Sequence, residues 1–208
     1  MADEYPWRGI AMVKIGFICE GYTEQFILQS ESFNTLLADL NLTTVGVVNV
    51  KGNMNLLPHH LEKHRANLMA DGAEKIIILT DLDKDLCITK TKERILKTEN
   101  QVVEIENQFI IIAVKQIEAW FLADSISLSK VNKTEISFNF PEHESVPFET
   151  IRQQYFQIHN RGIVGKDEKK RLATKFLNAG FSIQNAASHP NCPSATYFLT
   201  KLEQLSPQ

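Results

Sequence analysis

The chain has neither an apolar run long enough for a membrane-crossing helix nor the cysteines of a disulfide-stapled fold. No stretch approaches the ~18 consecutive apolar residues of a membrane-crossing helix. The opening MADEYPWRGIAMVKIGF has neither the basic start nor the unbroken apolar run of a signal peptide. Cysteine is scarce: Cys19, Cys87 and Cys192 are an odd number, far apart, with no CxxC. That excludes a disulfide framework and argues against structural zinc, so a reducing cytoplasm is the expected compartment. There is no excess of positive charge, since 22 Lys and Arg face 25 Asp and Glu, a net −3. Any contact with a polyanion must therefore come from local patches. Internal repeats and low-complexity tracts are absent. So are a G-x-x-x-x-G-K-[ST] loop and a G-x-S-x-G elbow, which leaves no Walker-type NTP hydrolysis and no serine-hydrolase nucleophile within these residues.

What remains is an ordinary globular composition, 43 % hydrophobic and 23 % charged over 208 residues. That length suits one domain, or one domain with an appendage, burying roughly 70 % of its unfolded surface. Strand-like and helix-like segments alternate through the first 125 or so residues. Met12 to Cys19 is a β-rich apolar run, followed by a helical pattern from Glu24 to about Leu40. Thr44 to Val50 predicts a second strand and Leu56 to Met69 a second helix. Lys75 to Thr80 (KIIILT) and Phe109 to Val114 (FIIIAV) are continuously apolar, as strands covered on both faces are. Thr89 to Lys97 and Gln116 to Ala123 predict helices. This alternation argues for βαβ units, hence a three-layer α/β fold with a mainly parallel four-stranded sheet over residues 10–125. Residues 126–208 predict a mainly helical appendage packed on that core. Its helices fall at Phe148 to Ile158, Asp167 to Leu177 and Ser194 to Leu205, after a loop or small hairpin within Val131 to Val146.

Ligands of open α/β sheets bind beyond the carboxyl ends of the strands, and three of these four ends carry acids. The first runs into Glu20-Gly21-Tyr22-Thr23-Glu24, the third into Asp81-Leu82-Asp83-Lys84-Asp85, and the fourth leads to Glu118 and then Asp124. The second ends in Lys51-Gly52-Asn53. One strand-end acid is commonplace; several that converge repel one another unless a cation or a shifted proton neutralises them. Hard oxygen donors without Cys or His point to Mg²⁺ or Mn²⁺. Gly21 suits a sharp turn or a close approach. Thr23 is placed to cap the next helix, with Glu24 in its first turn.

Strand-Glu-Gly-x-Thr-Glu, then strand-Asp-x-Asp, then strand followed by Glu-Ala-Trp resembles the Toprim domain. That domain occurs in topoisomerases, primases, ribosomal-RNA maturases and the overcoming-lysogenization-defect (OLD) nucleases. The likeness spans about residues 12–125 and is greatest to stand-alone Toprim-like proteins beside ABC- or AAA-type ATPases in bacterial anti-phage loci. It implies a Rossmann-type fold and, in the nuclease branch, Mg²⁺ or Mn²⁺ held by Glu20, Glu24, Asp81, Asp83 and Glu118. Glu20 and Asp81 would be catalytic, Asp85 a spare, and the activity phosphodiester hydrolysis of DNA or RNA, alongside a separate ATPase and with homo-oligomers possible in principle. Convergence of Glu20 and Asp81 requires the first and third strands to be neighbours.

A nuclease also needs cations for the phosphate backbone. The densest run is Lys166-Asp167-Glu168-Lys169-Lys170-Arg171, with Asp167 placed to cap a helix. It offers Lys166, Lys169, Lys170 and Arg171 as phosphate contacts, Lys170 also as a catalytic ammonium, and Lys84 as a further contact. The bland alternative is a solvated helix face. His59, His60 and His64 lack a third ligand and are expected on the surface. Trp120 and Phe121 are expected to pack, and Ser194 to cap a helix. An EF-hand needs Gly and Glu where Leu86 and Lys92 stand, so it is excluded. Rival readings are a phosphatase using Asp-x-Asp as nucleophile, a non-catalytic partner or sensor subunit of an ATPase complex, and a scaffold holding Mg²⁺ structurally.

Overall fold

A computed structural model describes residues 11–83, 87–98, 101–102, 104–163 and 167–207. In chain order it contains β1 (Val13–Cys19), α1 (Tyr22–Leu28), α2 (Glu31–Asp39), β2 (Leu42–Asn49), α3 (Pro58–Ala70), β3 (Lys75–Asp81) and α4 (Ile88–Leu96). The short β4 (Lys97–Thr98) and β5 (Gln101–Val102) pair antiparallel. Then come β6 (Gln108–Ala113), α5 (Glu118–Ala123), α6 (Ser125–Asn132), α7 (Pro147–His159), α8 (Glu168–Asn178), α9 (Ile183–Ala187) and α10 (Pro193–Leu205).

The main sheet has the order β2-β1-β3-β6, and every pairing in it is parallel. Alternate side chains leave the strands in opposite directions, which divides the core in two. Ile15, Phe17, Ile77, Leu79 and Ile111 meet the helices α1, α2 and α5 to α10 on one face. Ile18, Ile76, Ile78, Ile110 and Ile112 meet Leu61 and Leu68 of α3 and Ile95 of α4 on the other. The architecture is a three-layer α/β fold, and β1 and β3 are neighbours as expected. Phe176 of α8 and Phe198 of α10 belong to the same cluster as Phe17 of β1, so the C-terminal helices cover one face of the sheet.

The structure corrects several local expectations. The segment from Glu24 to Leu40 is two helices, because Ser30 breaks it: its Oγ accepts from Phe33 N at 3.2 Å and donates to Ile27 O at 2.7 Å. A side-chain cap of that kind starts a new helix. The helix expected from Gln116 begins at Glu118. Asp124, two residues beyond Leu122, accepts from Ile126 N and Ser127 N at 3.1 Å and opens the unforeseen α6. After α6, where a loop or small hairpin was the expectation, the chain forms the loop, with one 3-10 turn at Pro141–His143. Ser194 lies within the first turn of α10, whose cap residue is Cys192. Among the described residues no helix is long and apolar enough to cross a membrane.

Candidate functional site

The strand order places the site. From β1 the chain moves outward to β2 on one side, and the later strands β3 and β6 lie on the other. The crevice of such a sheet lies where that direction reverses, beyond the carboxyl ends of β1 and β3. Glu20 follows β1 there, and its backbone N–H bonds Leu79 O of β3 at 3.2 Å. Its Oε2 accepts from Thr80 Oγ at 2.5 Å and from the Asp81 N–H at 3.3 Å. Asp81, the last residue of β3, is buried and accepts from Ile117 N at 2.7 Å. One carboxylate is thereby tied to its neighbour's backbone, and the second to the start of α5.

Gly21 has φ −139° and ψ −172°, extended backbone open to any residue, so a sharp turn is not its purpose. A Cβ there would stand 3.0 Å from Glu24 Oε2. The missing side chain makes room for the Glu24 carboxylate, which is buried in the first turn of α1. Thr23 does not cap that helix. Its hydroxyl donates to Glu118 Oε1 at 3.0 Å, 95 residues away in sequence. Glu118 is fully buried at the start of α5, and among the described residues its Oε2 has no hydrogen-bond partner. Asp83 follows β3 in a left-handed conformation (φ 50°) that Asp tolerates well. It is half-buried, and its charge reaches Glu20.

Among the described residues the cation paired with these acids is Lys169, whose Nζ lies 3.5 Å from Glu118 Oε1 with 47 % of its side chain exposed. The helix period explains why it is this lysine of the run. Leu172, Ala173 and Phe176 form the buried stripe of α8, and Lys169 precedes them at the same helical spacing. The stripe is anchored where Phe176 stacks on Phe121 of α5 at 4.4 Å. Lys170 falls off the stripe. Its ammonium lies 3.9 Å from the Tyr22 ring centroid and 3.2 Å from Asp167 Oδ1, at the rim of the same site. Asp167 precedes α8 without a side-chain capping bond, and Arg171 is exposed. Lys84, Asp85 and Lys166 lie outside the described residues.

Burial and crowding raise the affinity of Glu20, Glu24 and Asp81 for protons. Burial is the main cause in each case. It lifts Asp81 well above the usual carboxylate range, with the charges of Glu24 and Glu118 adding to it. Burial, with Glu118 and Glu20 nearby, raises Glu24 to about 8. Glu20 also rises through burial and the charge of Asp83, although its bonds from Thr80 and Asp81 pull the other way. Burial alone would lower Lys169, but Glu118, Asp81 and Glu24 together outweigh it and hold the ammonium protonated.

These residues suit a hard divalent cation by chemistry. The donors are carboxylate oxygens, they crowd one another, and Glu118 Oε2 is a buried acceptor with nothing to accept. Their arrangement is less complete. Among the described residues no three His, Cys, Asp or Glu side chains are grouped as a metal ion requires. Ligation therefore calls for rotation away from the present bonds to Thr23, Thr80 and Lys169. His59 and His60 are exposed and His64 half-buried, while Trp120 and Phe121 are fully buried.

No protein-family model matches the chain, and no curated protein matches it. Among solved structures it is similar to the C-terminal region of the OLD protein of Xanthomonas campestris pv. campestris. The two share 18 % identity over 92 % of this chain and 96 % of that one, with a TM-score of 0.43. At that score the two structures agree only loosely.

Proposed function

We propose that the chain is a Mg²⁺- or Mn²⁺-dependent nuclease that hydrolyses phosphodiester bonds of DNA or RNA. The observation that carries this reading is the gathering of Glu20, Glu24, Asp81 and Glu118 at the sheet's switch point, with Glu118 Oε2 buried and unpartnered. A fold with no need of a cation gains nothing from keeping such groups together, because each buried carboxylate costs stability when ionised. Glu20, Asp81 and Asp83 would hold the cation, with Glu24 or Glu118 completing the set. Bound there, it would orient a phosphate and lower the pKa of an attacking water.

The chain's own residues supply the rest. Thr80 and the Asp81 N–H fix the Glu20 carboxylate at the mouth of the crevice. Half-exposed Lys169 offers a protonated ammonium beside the acids, suited to a phosphate oxygen or a leaving oxygen. Lys170 and Arg171 lie on the same helix for backbone contacts. These residues carry no P-loop, so an energy-dependent step in phage defence would call for an ATPase beyond them, as the Toprim resemblance suggests.

The test is cleavage of labelled single-stranded DNA, plasmid and tRNA with Mg²⁺ or Mn²⁺, by the wild type, Asp81→Asn and Glu20→Gln. Both substitutions should lower hydrolysis by roughly a hundredfold or more, the scale of removing a group that acts on the reacting atoms. Cleavage that survives both changes, or none on any substrate, overturns the reading. A second reading, a non-catalytic partner or sensor of an ATPase complex, is favoured by the lack of a ready three-ligand arrangement among the described residues. It predicts no metal binding at millimolar Mg²⁺ in calorimetry.

A further inference from the structure

On the outer face of α7, a cleft of about 420 Å³ is lined by Arg152, Gln153, Phe156, Gln157, Gly162 and Ile163. The helix period makes its floor: Arg152 with Phe156, and Gln153 with Gln157, are four residues apart and share one face. The loop makes its wall. Asn160 ends α7 in the left-handed conformation (φ 52°) and turns the chain back, so that Gly162 and buried Ile163 face the last turns of the helix.

We infer that this cleft receives an unpaired nucleobase of the nucleic-acid strand whose backbone runs through the carboxylate site; the inference rests on the nuclease reading above. Three observations select that occupant. First, Phe156 is a flat aromatic with 54 % of its surface exposed, and it stands over the cleft rather than in the core. Base–aromatic stacking is the usual means of holding a single strand. Secondly, its neighbours are two carboxamides, which can both donate and accept hydrogen bonds and so match the edge of a base. A phosphate would call for bare cations. Arg152 is not one: its Nη2 lies 2.8 Å from Glu149 Oε2 and its Nη1 3.6 Å from Glu168 Oε2. Those contacts offset its charge and fix the plane of the guanidinium, leaving a second flat surface for stacking.

Thirdly, the cleft lies on the same helix as the edge of the proposed catalytic site. Phe148, in the first turn of α7, lies 5.7 Å from Lys169 Nζ. Phe156 is eight residues further on, which is about 12 Å along the helix. At 3.4 Å per stacked step a strand covers that distance in about three or four nucleotides, and in fewer when extended. The substrate class that follows is single-stranded DNA or RNA, or an unpaired loop. A duplex presents no base to such a cleft.

The test is fluorescence anisotropy of labelled single-stranded DNA and RNA oligonucleotides, and of the matching duplexes, in EDTA, where hydrolysis plays no part. Phe156→Ala should weaken single-strand binding roughly tenfold, within the range for the loss of one base stack, and leave duplex binding unchanged. Phe156→Trp should retain it, and Gln153→Ala with Gln157→Ala should change the preference among homopolymers. Equal losses on single strand and duplex, unchanged binding by Phe156→Ala, or no single-strand binding by the wild type would each overturn the inference. The two readings fail separately. Cleavage that depends on Asp81 but not on Phe156 refutes the base cleft alone. Binding that depends on Phe156, without any cleavage, refutes the nuclease alone.

Discussion

Lys169 Nζ on α8 stands 3.5 Å from Glu118 Oε1 at the start of α5, joining a half-exposed ammonium to a fully buried carboxylate. The pair is where the C-terminal helices meet the acids at the strand ends. Lys169 also lowers the proton affinity of Glu24 and Asp81, so it is the counter-charge of a cluster rather than of one partner.

Lys169→Ala should therefore destabilise the fold, by about 1 kcal/mol given the solvent screening of a half-exposed pair. Lys169→Arg should restore most of that loss. Urea unfolding at pH 8 in low salt measures it. Equal stability of all three proteins would mean that solvent alone compensates the acids.

The raised carboxylates give stability a definite pH dependence. A carboxyl group whose folded pKa exceeds its unfolded value contributes stability that is complete below the unfolded value. That contribution is lost as pH rises through the folded one. For Glu24 the window runs from its ordinary 4.5 to about 8, and Asp81 adds in the same direction. Stability should thus fall between pH 5 and pH 8 to 9. Glu24→Gln should flatten the curve and gain on the order of 2–4 kcal/mol at pH 9, where Glu24 is otherwise charged and buried. Thermal melts across pH provide the readout. A wild type that gains stability towards pH 9 would contradict the buried-acid account.

A divalent cation held by the same acids reverses that penalty. Millimolar Mg²⁺ should raise the melting temperature of the wild type more at pH 8 than at pH 5, because protonated carboxyls bind metal poorly. The increment should vanish in Asp81→Asn and in Glu20→Gln. Differential scanning calorimetry with and without EDTA distinguishes this from a general salt effect, which the variants would share with the wild type.

Much of this could be read in advance because it depends on short-range pattern. KIIILT and FIIIAV are strands by composition, and acids directly after β1 and β3 had to share one edge once those strands were neighbours. What could not be read depends on distant partners. Thr23 has every local mark of a helix cap, yet its hydroxyl is taken by Glu118. The choice of Lys169 over Lys170 was available in principle, since Leu172, Ala173 and Phe176 define the inward stripe, but a run of cations hides it. Ser30 and Asp124 each start a helix with one side-chain oxygen, a local signal outweighed by the apolar spacing around Ser30 and by the acidic pattern that drew Asp124 towards the site.

Ser194 was expected to cap a helix, and its actual place makes the last prediction. Its Oγ donates to Glu142 Oε1 at 2.5 Å and accepts from Trp120 Nε1 at 2.8 Å and Val114 N at 3.3 Å. Those three bonds use the hydroxyl's one proton and both lone pairs, and they tie α10 to α5 and to the end of β6. Ser194→Ala would take this acceptor from the buried Trp120 Nε1–H and the half-buried Val114 N–H, and strip one donor from Glu142, which keeps the Ser194 N–H at 2.9 Å. An orphaned buried donor costs about 1–3 kcal/mol. The substitution should therefore destabilise by roughly 2–4 kcal/mol in urea unfolding followed by circular dichroism, as two donors lose this acceptor and Glu142 loses one of its two donors. Thr174→Ala, on the exposed side of α8 where the hydroxyl bonds the Lys170 carbonyl at 2.9 Å, should stay within about 0.5 kcal/mol of the wild type. Similar losses for the two variants would mean that the Ser194 junction adds nothing beyond a surface hydroxyl.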